Sequence, residues 1–360
     1  MKKNAKIYVA GHTGLVGSAL IKKLREKGYT NLLTKTSKEL NLINQETVFN
    51  FFKNEKPEYV FLSAAKVGGI IANNIYRGQF IYENLQIQNN VIHASYKNNV
   101  KKLLFLGSTC IYPKESPQPI LEDYLLTSPL EYTNEPYAIA KIAGIKMCEN
   151  YNIQYGTNFI TAMPTNLYGP NDNFDLEKSH VLPALLRKIH LAKSLMDDDW
   201  HTIQKDLNKR PIEGLTGIEN KEIIINKLSK YGIKNWNVEI FGTGDSLREF
   251  LWSEEMADAC IHIMRKINFS DLKPLVEEVR NTHINIGTGK EISINQLTKF
   301  ITETVKYSGS FYFNQKKTNG TMRKLSNLSR IHKFGWHHKI NIEKGIQKLY
   351  DWYLKNLFYE

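Results

Sequence analysis

Lys6-Ile7-Tyr8-Val9-Ala10-Gly11-His12-Thr13-Gly14-Leu15-Val16-Gly17 is the stretch that decides the fold. A short apolar strand runs into three glycines, and the glycines open a helical pattern over residues 14–27. A tight turn needs a residue without Cβ, a pyrophosphate needs close approach of the backbone, and the helix must lie close on its sheet. Glycines at 11, 14 and 17 serve these three needs. The free N–H groups at the start of the helix then face phosphate oxygens. Gly11, Gly14 and Gly17 are therefore candidate dinucleotide-binding residues, although their spacing differs from the commonest fingerprint.

Outward from this segment, short apolar strands at 6–10, 31–34, 59–62, 102–106 and 158–163 alternate with helical patterns at 14–27, 45–54, 77–98 and 137–154. That alternation predicts an α/β fold of the Rossmann type, a doubly wound parallel sheet covered on both faces. Further strands are expected at 237–241 and 283–287, and helices near 294–305 and 342–357 belong to a smaller mixed lobe. The expected division is a dinucleotide-binding domain at 1–165 and a substrate-binding lobe at 166–360. A strand near 237–262 is expected to return to the first domain. Residues 195–236, rich in charge and holding Asp197-Asp198-Asp199-Trp200, read as an insertion with a helix near 222–231.

Of the 360 residues, 42% are hydrophobic and 23% charged, ordinary for a soluble globular protein. No run approaches the ~18–20 apolar residues of a membrane span. The first strand follows Met1-Lys2-Lys3 too closely for a signal peptide, so we expect a cytoplasmic protein with no membrane partner. Three well-separated cysteines form neither a disulfide framework nor a metal-ligand pattern, and no metal is expected. Cys148 and Cys260 read as small core residues. The net charge of +12 is spread along the chain without a basic arm or nucleic-acid module, so no nucleic-acid partner is expected. Such a field suits small anionic ligands.

The chemistry comes next. Tyr137-Ala138-Ile139-Ala140-Lys141 puts a phenol and an ammonium on one helix face. A phenol ordinarily titrates near ~10, and a neighbouring cation lowers that value toward useful acid–base work. Ser108 follows the 102–106 strand, at the carboxyl edge where open α/β sheets bind ligands, and its hydroxyl can donate to a substrate oxygen. Tyr137, Lys141 and Ser108 are candidate catalytic residues for hydride transfer to a carbonyl. The second strand ends in Thr34-Lys35-Thr36-Ser37-Lys38, with no carboxylate before Glu39. Lys35 there favours NADPH over NADH, because an acid would repel a 2′-phosphate.

Longer blocks carry a resemblance: 64–70, Gly107-Ser108-Thr109-Cys110-Ile111-Tyr112-Pro113-Lys114, Asn134-Glu135-Pro136-Tyr137 through Gly144, Met163-Pro164-Thr165-Asn166-Leu167-Tyr168-Gly169-Pro170 and 179–186. In these the chain resembles the extended short-chain dehydrogenases/reductases, and within them the GDP-L-fucose synthase family. The resemblance covers almost all of the chain outside 195–236. It implies a 3,5-epimerase/4-reductase of a GDP-linked 4-keto-6-deoxy sugar. It also implies Cys110 as base and His180 as acid on opposite faces of the ring, with Ala64 at the cofactor. A thiol needs a cationic surrounding to act as thiolate at neutral pH, and His180 is one expected source. Without the resemblance, Cys110 reads equally as a buried residue at a strand end. The resemblance further places Asn166 and Lys188 at the sugar or its diphosphate. Arg248 is the candidate diphosphate clamp, its alternative being an ion pair with Glu249 or Glu254. Phe241 either borders the nucleotide or packs in the core. The resemblance implies a homodimer through the helices at 77–98 and 137–154. Departures from the family pattern are Asn319 and Met322 in 319–324. Two alternatives stand beside this reading: a C4 reductase acting on a GDP-linked 4-keto-6-deoxyheptose, and a dinucleotide-binding sensor without catalysis.

Overall fold

A computed structural model of the chain describes residues 1–274, 278–317 and 321–359. The first half runs β1 (Ile7–Ala10), α1 (Leu15–Glu26), β2 (Leu32–Leu33), α2 (Gln45–Glu55), β3 (Tyr59–Leu62), α3 (Ile70–Ile75), α4 (Arg77–Lys97), β4 (Lys102–Leu106), α5 (Glu135–Tyr155) and β5 (Phe159–Pro164). The second half continues with β6 (Asn166–Tyr168), α6 (Val181–Met196), α7 (Trp200–Lys209), α8 (Lys221–Lys230), β7 (Asn237–Phe241), β8 (Leu247–Trp252), α9 (Ser253–Lys266) and α10 (Phe269–Leu272). It ends with β9 (Ile284–Ile286), β10 (Glu291–Ser293), α11 (Ile294–Val305), β11 (Ser310–Asn314), α12 (Ser329–Lys333) and α13 (Ile342–Tyr359).

The central sheet is parallel throughout, in the order β2-β1-β3-β4-β5-β9. Its interior strands β1 and β4 are buried along their whole length, as a sheet covered on both sides requires. One face packs on α1 and α9 through Leu20, Leu24, Met256, Cys260 and Ile263. The other packs on α2, α4 and α5 through Val48, Phe52, Val91, Ile145 and Cys148. The strand order reverses between β1 and β3, which opens a crevice at their carboxyl ends.

The strand expected to rejoin this sheet from 237–262 does not. Here β7 alternates, with Val238 and Ile240 inward and Asn237, Glu239 and Phe241 outward, and it pairs with β11 in a separate two-stranded sheet. A strand polar on one face cannot sit in a sheet covered on both. The completely buried Ile284-Asn285-Ile286 takes the edge position instead. What returns to the first domain from that region is α9, whose C-terminal carbonyls at Ile263, Met264 and Ile267 accept from the buried Lys102 ammonium of β4.

Two helices bury polar side chains. The buried residues of α5, from Ala138, Ala140 and Lys141 to Glu149 and Asn152, form a broad face that packs on the sheet and α4, and leave Ile139, Asn150 and Ile153 exposed on the other side. A Cβ on Gly144 would meet the Phe105 ring at 2.6 Å and the Gln88 Oε1 at 2.9 Å, so glycine allows this close approach. The buried polar residues of α4 are satisfied by backbone: Asn84 donates to Lys66 O and Phe80 O, and Asn90 to Leu42 O and Ile43 O.

Residues 195–236 are part of the second core rather than an ornament on it. Ile203, Leu207, Ile224, Leu228 and Ile233 join Leu186, Ile189, Trp252, Leu297 and Tyr353 in one cluster. The buried Asp206 of α7 accepts from Arg187 Nε of α6 at 2.9 Å and from the Tyr353 hydroxyl of α13. A third sheet, β10-β8-β6, links the lobes, because β5 and β6 are separated by Thr165 alone.

Candidate active site

The glycine loop leaves β1 at the crevice. Gly11 holds φ +82°, and a Cβ there would lie 2.8 Å from Ala64 Cα and N. A Cβ on Gly17 would lie 1.9 Å from Gly11 O, so α1 can pack on the loop only with glycine at that position. A Cβ on Gly14 would meet nothing nearer than Gly11 O at 3.6 Å, and this is the open side of the turn. Gly14 caps α1 without a side chain and no acid occupies the first turn. A tight loop, exposed N–H groups and a helix start free of negative charge fit a dinucleotide pyrophosphate. Beyond β3, Ala64 forms the opposite wall, braced by Asn84, which accepts from Lys66 N at 2.9 Å.

At the end of β2, Lys35 is half-buried and pairs with Glu39 at 3.6 Å. The Glu39 carboxylate folds back to accept from Thr36 N and Oγ1, both at 2.8 Å. An acid is thus nearer this strand end than its sequence position suggested, but its oxygens are already engaged. Lys38 is exposed beside it.

The candidate catalytic groups come from two elements. Ser108 caps the short turn Thr109–Ile111 after β4, and its Oγ accepts from Cys110 N at 3.4 Å. Tyr137 and Lys141 come from the first turns of α5. Lys141 Nζ donates to Leu106 O at 2.9 Å and stands 5.7 Å from the centre of the Tyr137 ring. Cys110 bears electrostatically on both Tyr137 and Lys141, so these four residues share one wall of the crevice.

Their protonation is set mainly by burial. Burial pushes the Tyr137 phenol well up, with Cys110 adding to the effect, and it brings the Lys141 ammonium down to about 8. The expectation that Lys141 lowers the Tyr137 pKa is thus not met in the free protein, where burial dominates. Burial also raises the Cys110 thiol, against which Lys324, Ser108 and Lys141 pull downward.

His180 is the N-cap of α6. Its loop is stitched to the 64–69 wall: Gly69 N donates to Lys178 O at 2.9 Å, and a Cβ on Gly69 would strike Ser179 O at 2.9 Å. The side chain is exposed to the crevice, yet the protein around the ring keeps its pKa below the ordinary value. A neutral imidazole does not supply the cation that was expected of it for Cys110.

On the lobe side, Asn166 Nδ2 donates to Glu249 O at 3.0 Å. Lys188 is buried and brought down to about 8, with Nζ donating to Glu239 O at 3.2 Å. Phe241 is 43% exposed, which excludes core packing. Its ring lies 4.9 Å from Lys188 Nζ and 4.0 Å from Lys317 Nζ. Arg248 donates through Nη1 to Leu247 O at 2.8 Å. Neither carboxylate suspected of pairing with it is available for that. Glu254 holds Lys22 and Lys23. Glu249, fully buried, accepts from the backbone of Thr288 at 2.6 Å, Gly289 at 2.7 Å and Ser326 at 3.0 Å.

Lys317, Lys324 and Glu249 are the neighbours that the sequence reading missed. Lys317 and Lys324 stand in coil without periodicity, and Glu249 read only as a possible partner of Arg248. Asn319 and Gly320 lie outside the described residues; Thr321–Lys324 lie within them. Among the described residues no cluster of His, Cys, Asp or Glu could hold a metal ion, and no helix is long and apolar enough to cross a membrane.

Known proteins share this architecture. A model of the NAD dependent epimerase/dehydratase family matches residues 7–208. GDP-L-fucose synthase 1 of Arabidopsis thaliana is 48% identical over 355 residues, covering 99% of this chain and 95% of the relative. The crystal structure of a GDP-6-OMe-4-keto-L-xylo-heptose reductase from C. jejuni superposes with a TM-score of 0.93 at 48% identity, covering 99% of each chain. A GDP-D-glycero-L-gluco-heptose synthase from Campylobacter jejuni, solved in the presence of NADPH, gives a TM-score of 0.86 at 48% identity, again over 99% of each chain.

Proposed function

The chain belongs to the NAD dependent epimerase/dehydratase family, and from that premise we propose that it is an NADPH-dependent 3,5-epimerase/4-reductase of a GDP-linked 4-keto-6-deoxy sugar. The observation that carries this reading is the shared wall of Ser108, Cys110, Tyr137 and Lys141, with His180 on a loop tied to Gly69. A 4-keto group acidifies the protons on C3 and C5. Cys110 removes a proton from one face and His180 delivers one to the other, which inverts the carbon. Ser108 and Tyr137 donate hydrogen bonds to the developing oxyanion. When bound, the nicotinamide supplies hydride to C4. Tyr137 then gives its proton to the C4 oxygen; a buried phenol held neutral is in the right state for that donation. Lys141 orients Tyr137 and the cofactor ribose. Arg248 and Lys188 hold the diphosphate, Asn166 the sugar, and Phe241 borders the nucleotide.

The heptose alternative has specific support, because two relatives named for heptose chemistry match this chain at the same 48% as the plant fucose synthase. Segment 195–236 packs on α6 and pairs through Gly232 and Ile233 with β7, the elements that carry Lys188 and Phe241, and is the region where a longer sugar would be accommodated. The deciding experiment is NADPH consumption with GDP-4-keto-6-deoxymannose beside GDP-4-keto-6-deoxyheptose, in D₂O with NMR of the products. Fast turnover of the hexose with deuterium at C3 and C5 supports the epimerase/reductase reading. Preference for the heptose replaces the sugar, and reduction without deuterium removes the epimerase. Binding of NADPH without consumption of either substrate would leave a sensor.

The same reading includes a homodimer through α4 and α5, where Tyr82, Ile139, Ile153 and Tyr155 expose apolar surface. It also includes a cytoplasmic setting, in which NADPH is at hand and Cys110 stays reduced.

A further inference from the structure

Lys324 has no part in the chemistry above, yet the chain around it is fastened into the active site. Leu247 N donates to Met322 O at 2.8 Å, and Ser326 N donates to the Glu249 carboxylate at 3.0 Å. Residues 322–326 therefore run alongside β8, with Lys324 beside Arg248. The other edge of the segment is tied to the chain that follows Cys110. Ile120 N donates to Leu325 O at 2.7 Å, Asn327 N to Ile120 O at 2.9 Å, and Leu325 N to Gln118 Oε1 at 2.7 Å. Arg323, the neighbour that could have faced inward, is turned out and forked onto Glu291 at 2.7 and 3.0 Å.

Among the described residues the Lys324 ammonium has no hydrogen-bond or ion-pair partner. The charges that reach it are Arg248, which repels it, and Cys110 and Glu131, which attract it. Glu131 is committed elsewhere, to Lys114 at 3.6 Å and to Thr133 N. Two enclosed cations side by side are costly unless an anion stands near them. The groups facing Cys110 are Ser108 from its own turn, Tyr137 and Lys141 from α5, and Lys324 from this strap; of the two lysines, Lys324 acts on it more strongly.

We propose that Lys324 is a positioning residue, the cation beside Arg248 on the 322–326 strap that favours the thiolate form of the Cys110 sulfur against the cost of its burial. The role matters for turnover only if Cys110 is the base, so it rests on the function proposed above. The thiolate itself can be measured without turnover.

The test is alkylation of Cys110 in the full-length protein by iodoacetamide from pH 6 to 10, read by mass spectrometry of the Cys110 peptide with Cys110→Ser as blank. Lys324→Gln should slow alkylation at pH 8 about tenfold and move its midpoint upward by about one pH unit. Lys324→Arg should restore the parent profile. Lys324→Met, which keeps the apolar stem, replaces the Gln variant should the latter fail to fold. C3 and C5 deuterium exchange should fall in proportion to the thiolate, with NADPH affinity unchanged. A parent-like alkylation profile in both neutral variants overturns the proposal. So does a raised KM for the nucleotide sugar with an unshifted profile, which would assign Lys324 to the diphosphate. If alkylation depends on Lys324 but Cys110→Ser still exchanges C3 and C5 protons, the inference about the thiolate stands and Cys110 as base does not.

Discussion

Cys110 and His180 rest in the protonation states opposite to those that the proposed epimerisation uses. Burial raises the thiol, and the crowded imidazole is held below its ordinary value, so the resting pair is neutral on both sides. The active pair, thiolate with imidazolium, is then a minor species whose population is constant between the two pKa values. We expect C3/C5 deuterium exchange to give a broad bell, with its acid limb below pH 6.5 and its alkaline limb above the ordinary thiol range. Limbs lying inside those bounds would contradict the assignment. The reduction half has a different dependence. Tyr137→Phe should lower NADPH oxidation by about 10²–10⁴-fold and leave exchange at C3 and C5 measurable. At this scale, Ser108, Tyr137 and Lys141 were legible because each sits at a fixed offset from a strand or helix start. Lys324 was not. It reaches Cys110 from more than two hundred residues away, through coil whose position is set by hydrogen bonds to β8 and to 118–120, and no local pattern encodes that.

At the scale of elements, close approach and buried charge carry the strongest constraints. Gly17→Ala would drive a methyl group into Gly11 O, so α1 must shift off the loop. We expect NADPH affinity to fall more than tenfold by fluorescence titration, with a lower Tm. Asp206→Asn removes the carboxylate that faces the buried Arg187 and Tyr353. The expected loss is about 3–5 kcal/mol in urea unfolding, because an unpaired buried guanidinium remains. That outcome would mark 195–236 as integral to the lobe, whereas a neutral result would return it to the status of an insertion. Strand and helix positions in the first half were readable from alternation of apolar runs. The destination of 237–241 was readable too, from its polar outer face, although a strand of that region was expected to return to the first domain. The buried face of α5 was not readable from periodicity, because Lys141, Glu149 and Asn152 face protein while Ile139 and Ile153 are exposed.

At the scale of the whole molecule, the proposed dimer would use the exposed apolar side chains of α4 and α5. Replacing both Tyr82 and Ile153 with Glu should convert a dimer to a monomer in light scattering, with near-parent circular dichroism. A monomeric parent protein would remove the dimer from the reading. The parallel sheet with helices on both faces was legible, because alternation of strands and helices after a glycine turn admits few topologies. How the lobe attaches was not, since that depends on a junction one residue long. Thr165 is all that separates β5, in the sheet of the dinucleotide crevice, from β6, in the sheet that carries Arg248. Two sheets joined so tightly have no hinge between them at that point. A family built this way can exchange one sugar for another by altering the far side of the lobe, while the geometry at the reacting carbon is inherited unchanged.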